Sequence, residues 1–160
     1  MANGTVSLSV TTADDVLSVL VLEDIVRDVR GGIIHNYPLV KIGTQYWMRD
    51  NLEASSYVGG EALPRLDAVT ANVVGYLQSA TEHYFYTANV VLSNKILPIH
   101  WSIPDWKDWN ILKDYLNGEA SLLKSGTWLP LKAGEQVQPA TNLSGFNGIP
   151  VGMYVGAVSY

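Results

Sequence analysis

Three histidines and three closely spaced carboxylates are the first places to look for chemistry in this 160-residue chain: His35, His83 and His100, and Asp105, Asp108 and Asp114. Two imidazoles four residues apart on one helical face make a zinc site, but these histidines are widely separated and none has that spacing. They read as ordinary core or surface histidines, and no metal is expected. The aspartates invite comparison with a glycosidase carboxylate pair. Asp105 and Asp108, however, follow Pro104 at the start of an amphipathic run, where helix capping accounts for both, and Asp114 falls on the solvated face of that run.

Nucleophile and phosphate motifs are also missing. Ser125-Gly126 and Ser144-Gly145 lie in no Gly-x-Ser-x-Gly elbow, although a triad assembled in space from distant residues is invisible to such a scan. Gly31-Gly32 and Gly59-Gly60 lack the helix and lysine that a phosphate-cradling loop requires, and read as turns. Cysteine is absent, which removes disulfides, thiolate metal ligands and cysteine nucleophiles together. The chain is therefore read as a non-enzyme without a cofactor.

Recognition chemistry is better represented. Trp128, Gln138, Asn142, Asn147 and Tyr154 lie in a C-terminal stretch rich in Gly, Pro, Asn and Thr. Stacking rings and amides suit sugars or peptides, so these five are the expected ligand contacts, with loop packing and turn chemistry as the competing reading of each.

The elements that must position them are legible in part. After Pro104, Asp105 can accept from the first-turn N–H groups, and Asp108 stands at the capping-box position. Trp109, Leu112 and Leu116 then share one face, and Asn117-Gly118 tolerates the positive φ of a helix end, so the spacing predicts one main helix over about 105–117. A further short turn is expected over Ala120–Lys124. Ile33–Val40 and Lys41–Met48 read as short strands with a tight turn near Gly43, ended by the polar Arg49-Asp50-Asn51. Residues 53–80 read as loop with one short helix around Leu66–Leu77, and His83-Tyr84-Phe85-Tyr86 as a strand or a buried aromatic ledge. Val6–Val10 alternates like a half-buried strand, and Val16–Leu22 is apolar on both faces. Residues 1–24 are accordingly set apart as an N-terminal strand segment or the end of a preceding β-domain, with the main domain over 25–160. The fold class is α+β.

Hydrophobic residues make up 48% and charged residues 16%, a balance that folds rather than stays disordered. A net charge of −5 and a pI near 5.0, with no basic run, argue against nucleic acid or anionic membrane surfaces as partners. No apolar run approaches the roughly 20 residues of a membrane span, and Met1-Ala2-Asn3-Gly4 lacks the features of a secretory signal.

Three passages, taken in order, resemble the Fibrobacter succinogenes major paralogous domain. They are Val40-Lys41-Ile42-Gly43-Thr44-Gln45-Tyr46-Trp47-Met48-Arg49-Asp50-Asn51-Leu52, the segment Leu97–Trp128, and Ala140-Thr141-Asn142-Leu143-Ser144-Gly145-Phe146 followed by Pro150 and Gly152. The resemblance implies a C-type-lectin-like mixed fold, with twisted antiparallel sheets, one main helix and long loops. Trp47, Asn51, Trp101, Pro104, Asp105, Trp109, Leu112, Leu116, Gly145 and Phe146 would be its scaffold. It also implies display at the surface of Bacteroidetes cells, including on pili. Leu97 stands where the family usually has cysteine, and the usual closing C-terminal strands are missing where the chain stops at Tyr160. Lectin calcium motifs are absent, since Gln138-Pro139-Ala140 lacks an oxygen ligand at its third position. An enzyme of the formylglycine-generating kind would need cysteine chemistry that this chain lacks.

The expected function is an extracellular recognition or adhesion module, such as a pilus-tip adhesin, binding a glycan or protein ligand through its loops. The alternative is a structural pilus or surface-assembly subunit that associates with another subunit by strand addition.

Overall fold

The computed structural model describes residues 25–68, 72–79, 81–130, 132, 134–137, 139–152, 154–155 and 158–159. The expected strands Val6–Val10 and Val16–Leu22 lie outside these residues.

An antiparallel meander carries the site. Strand β1 (Ile25–Arg30) turns at Gly31-Gly32 into β2 (Ile33–Ile42), which turns again into β3 (Gln45–Met48). The first half of β2 pairs with β1, from Ile25↔Pro38 to Arg30↔Ile33, and its second half with β3, from Leu39↔Met48 to Ile42↔Gln45. Pro38, which has no N–H to give a ladder, sits where one pairing hands over to the other, and its carbonyl accepts from Arg49 N–H at 2.8 Å. The expected strand pair is present, but β2 runs to Ile42 rather than Val40, because the residues that must turn are Gly43 and Thr44. Gly43 has φ +61°, and a Cβ there would press on the Tyr115 ring at 2.8 Å, so the position favours glycine on both counts.

Strand β1 escapes sequence reading for a definite reason. Its buried face is Val26, Asp28 and Arg30, while Val29 points outward, so apolar and polar residues do not sort by face.

The expected short helix around Leu66–Leu77 is not found among the described residues of that stretch. Instead the chain makes a tight excursion between Ser55 and Leu63, with Gly59-Gly60 at its tip, and then strand β4 (Tyr76–Gln78). Strand β4 pairs with β5 (Tyr84–Tyr86), so the aromatic run is both strand and ledge. Helix α1 (Ala88–Leu92) follows, too short to show a period from sequence.

Helix α2 (Trp106–Tyr115) is the expected main helix. Asp105 accepts from the N–H groups of Lys107 (2.7 Å) and Asp108 (3.1 Å), and the Asp108 carboxylate accepts from Asp105 N–H at 3.0 Å, a complete capping box. Asn117 and Gly118 both take positive φ at its end, and the expected turn is a 3₁₀ segment, Ala120–Leu122. Two short strands, β6 (Tyr154–Val155) and β7 (Val158–Ser159), pair near the C-terminus. The architecture is α+β: antiparallel sheets with one main helix.

Among the described residues, three apolar clusters form the interior. Leu112 and Leu116 of α2 pack on Ile42 and Trp47. Trp109 and Phe146 complete that seam, with ring centroids 5.0 and 5.5 Å from Trp47. Ala54, Leu63, Tyr76, Val90 and Ile96 form a second cluster under β4–β5, and Leu97 packs against it. Val26, Tyr37 and Leu39 form the third, flanked by Trp101.

Candidate functional site

Polar side chains from four separated parts of the chain meet in one groove of about 230 Å³. Strand β2 contributes His35, Asn36 and Tyr37. The segment after β3 contributes Arg49, Asp50, Asn51 and Glu53. His83 enters from the β4–β5 connection, and Asn147 with Ile149 from the C-terminal loop.

Each contribution is fixed by local structure. The Tyr37 side chain is buried beneath the groove, its hydroxyl accepts from Glu53 N–H at 3.2 Å, and the His35 ring stacks beside it at 6.0 Å and 14°. Burial raises the Tyr37 phenol above its ordinary pKa of 10.0, against the opposing pull of the Glu53 N–H, so it stays a neutral hydroxyl near pH 7. Arg49 is held at the end of the β3 ladder by its own N–H. His83 is placed by a reciprocal pair of bonds, Ser79 N–H to the His83 carbonyl (2.9 Å) and His83 N–H to Ser79 Oγ (3.1 Å). Its Nδ1 is buried without a partner among the described residues.

Asn147 is delivered by a loop stitched along its length. Thr141 N–H and Ser144 Oγ bond the carbonyls of Ser121 (3.0 Å) and Leu122 (2.7 Å), and Gly148 N–H bonds Leu123 O at 2.9 Å. Asn142 Oδ1 accepts from Asn147 N–H at 2.7 Å, while Gly145 takes φ +75° against Val40 and sends Phe146 into the tryptophan seam.

The five expected ligand contacts therefore separate. Asn147 lines the groove with its amide free, whereas Asn142 spends its side-chain oxygen on the loop that holds Asn147. Trp128 donates Nε1–H to Ser125 O at 2.9 Å and carries the Lys124 ammonium over its ring at 5.0 Å, outside the groove. Gln138 lies outside the described residues, and Tyr154 is placed by its backbone in β6. Of the expected scaffold, Trp47, Leu112 and Leu116 are buried, Trp101 and Pro104 are half-buried, and Asp105 caps α2. Trp109 and Phe146 pack against Trp47, and Gly145 makes the turn before Phe146. Asn51 is exposed and lines the groove.

Sequence reasoning missed His35, Arg49, Asp50, Glu53 and His83 as a set. The available signal was Arg49-Asp50-Asn51, a dense polar run closing a strand pair, which reads equally well as the end of a sheet. Among the described residues, no group of three or more His, Asp or Glu is placed to hold a metal ion, and no helix is long and apolar enough to cross a membrane.

No curated protein and no solved structure matches the chain. The family model described as the Fibrobacter succinogenes major domain matches residues 40–160, so it covers β3, both helices and three of the four parts of the groove, while β1 and most of β2 precede it. On that match the chain belongs to the Fibrobacter succinogenes major domain family.

Proposed function

We propose that this chain is a non-catalytic recognition module acting at the cell surface, and that it binds a glycan or protein ligand in the groove between β2 and the C-terminal loop. One observation carries the reading. The side chains of Arg49, Asp50, Asn51, Glu53 and Asn147 have no hydrogen-bond or ion-pair partner among the described residues, although all border one concavity. Polar groups left unspent around a concave site are available to a ligand. By contrast, Asn142, Ser144 and Trp128 use their polar groups to hold the loops in place. Membership of the family and the α+β architecture with one capped helix support a lectin-like arrangement, rigid base below and loops above.

Glycan and protein arrays probed with the full chain and with an Arg49→Ala/Asp50→Ala variant test this. A ligand retained by the parent and lost by the variant, at unchanged thermal stability, supports the groove. A ligand bound equally by both removes it.

A second reading, a surface-assembly subunit, is favoured by the β1–β2 hairpin. Val29 and Ile34 pair across it and, with Ile33, expose apolar surface (44%, 49% and 58%) at one end of the sheet. Size-exclusion at several concentrations separates the two readings: self-association abolished by Ile33→Lys supports assembly, and a strict monomer counts against it.

A further inference from the structure

The chemistry of the groove selects among ligands. Its charged groups are of both signs and unpaired with each other: Arg49 only donates hydrogen bonds, Asp50 and Glu53 only accept, and the amides of Asn51 and Asn147 do both. A carboxylate, sulfate or phosphate only accepts, so it would satisfy Arg49 and meet two carboxylates of like charge. An ammonium only donates, so it would satisfy the carboxylates and meet the guanidinium. A hydroxyl donates and accepts at once. Adjacent hydroxyls on one ring match a wall that holds both donors and acceptors, and they carry no charge to be repelled by either sign.

Size and the remaining lining point the same way. About 230 Å³ is below the roughly 300–1,000 Å³ of a site for a drug-sized ligand, so the groove takes an end group rather than a long segment. The His35 ring, backed by the buried Tyr37, and Ile149 add apolar surface for the C–H face of such a group.

Resting on the recognition reading above, we infer that this groove holds the uncharged terminal sugar of a glycan, its neighbouring hydroxyls shared between Arg49 and the carboxylates of Asp50 and Glu53, with the Asn147 amide as a further contact. The Asn147 contribution can be isolated without straining the loop. Asn147 has φ +63°, so glycine fits its backbone while removing the amide, and its N–H bond to Asn142 is kept.

The test is an amide NMR titration of the full chain with methyl glycosides of neutral hexoses, 6-deoxyhexoses and N-acetylhexosamines. Glucuronic acid and N-acetylneuraminic acid serve as anionic probes, and a short lysine-containing peptide as the cationic one. The expected result is a saturable shift of amides at 35–37, 49–53 and 147 with at least one neutral glycoside, and binding of every charged probe at least about fivefold weaker. Asn147→Gly should weaken the glycoside by about five- to tenfold, the equivalent of one hydrogen bond, with thermal stability preserved. If a charged sugar or the peptide occupies these amides more tightly than any neutral glycoside, the sugar assignment is overturned while the recognition reading stands. If neutral glycosides shift only amides elsewhere, the assignment is likewise overturned. If no probe moves the groove amides, both the assignment and the groove reading fail.

Discussion

Against α2 the interior is apolar, Trp47 and Ile42 over Leu112 and Leu116, with Phe146 and the half-exposed Trp109 ring at its border and one side-chain bond across it, Gln45 Nε2–H to Asp108 O at 3.1 Å. The Trp47 indole N–H is buried there without a partner among the described residues. Under the β4–β5 hairpin the interior is threaded with polar groups. The Tyr86 hydroxyl bonds Leu52 O (3.0 Å), Ala54 O (3.1 Å) and Ala54 N (2.6 Å), and Tyr84 stacks on Tyr76 at 4.5 Å. At its border Arg30 pairs with Asp28 at 2.8 Å and donates to the carbonyls of Ser56 and Ile96, both at 2.6 Å. Both charged side chains are almost fully buried. The tryptophan side joins a helix to a sheet, where two regular apolar faces need only one polar cross-link. The arginine side joins a sheet to irregular loops, whose carbonyls have no ladder to enter and must be met one at a time.

The difference is sharpest at Arg30. Arg30→Met removes three sets of bonds at once and leaves the Asp28 carboxylate buried and unpaired, so a loss of about 3–5 kcal/mol in urea unfolding is expected. The double variant Asp28→Leu/Arg30→Met separates the ion pair from the loop contacts. Replacing a buried pair by apolar residues is often neutral, but here the Ser56 and Ile96 carbonyls would still lack their donor. The double variant should therefore remain clearly less stable than the parent. Full recovery would show that only the ion pair matters. On the tryptophan side, Leu112→Ala should cost roughly 2–5 kcal/mol through an unfilled cavity, and no second substitution of a charged residue should modulate it.

The same contrast explains how much of the fold could be read in advance. Around α2, Asp105, Trp109, Leu112, Leu116 and Asn117-Gly118 state a helix locally, and Gly43 marks the turn that meets it. Near Arg30 nothing local gives the answer. A strand that buries Asp28 and Arg30 has no apolar face to detect, and the carbonyls that justify burying them lie 26 and 66 residues away. The groove is hidden for the same reason, since His35, Arg49, His83 and Asn147 converge only through that folding. The loop that carries Asn147 was legible as a motif, but its residues divide between holding and presenting, and spacing does not reveal which does which.

Tyr86→Phe probes the polar side more gently. Losing a hydroxyl that serves three backbone groups should cost about 1–3 kcal/mol. Its pH dependence has a definite sign. Burial raises the Tyr86 phenol well above its ordinary 10.0, with Tyr37 and Tyr84 raised in the same direction. A phenol raised in the folded state stabilises the fold fully below pH 10 and loses that contribution as pH climbs beyond it, because the unfolded chain ionises first. Melting temperatures should fall above pH 10, and less steeply in Tyr86→Phe. Parallel slopes in the two proteins would remove Tyr86 from the alkaline transition.

The smallest effect belongs to the helix cap. In Asp105→Ala, the N–H groups of Lys107 and Asp108 lose their acceptor, and the Asp108 carboxylate keeps only its own bond to the cap residue N–H. Water can reach this exposed end of α2, so the freed donors are re-solvated rather than stranded, and the cost should be about 1 kcal/mol. That is the reverse of Arg30, where the orphaned groups are buried. If Asp105→Ala approached the Arg30→Met loss, α2 would depend on its cap more than on the Leu112 and Leu116 face, and packing would no longer distinguish the two sides. A cap effect near 1 kcal/mol, confined to faster amide exchange over residues 106–109, keeps the distinction on burial, where the geometry puts it.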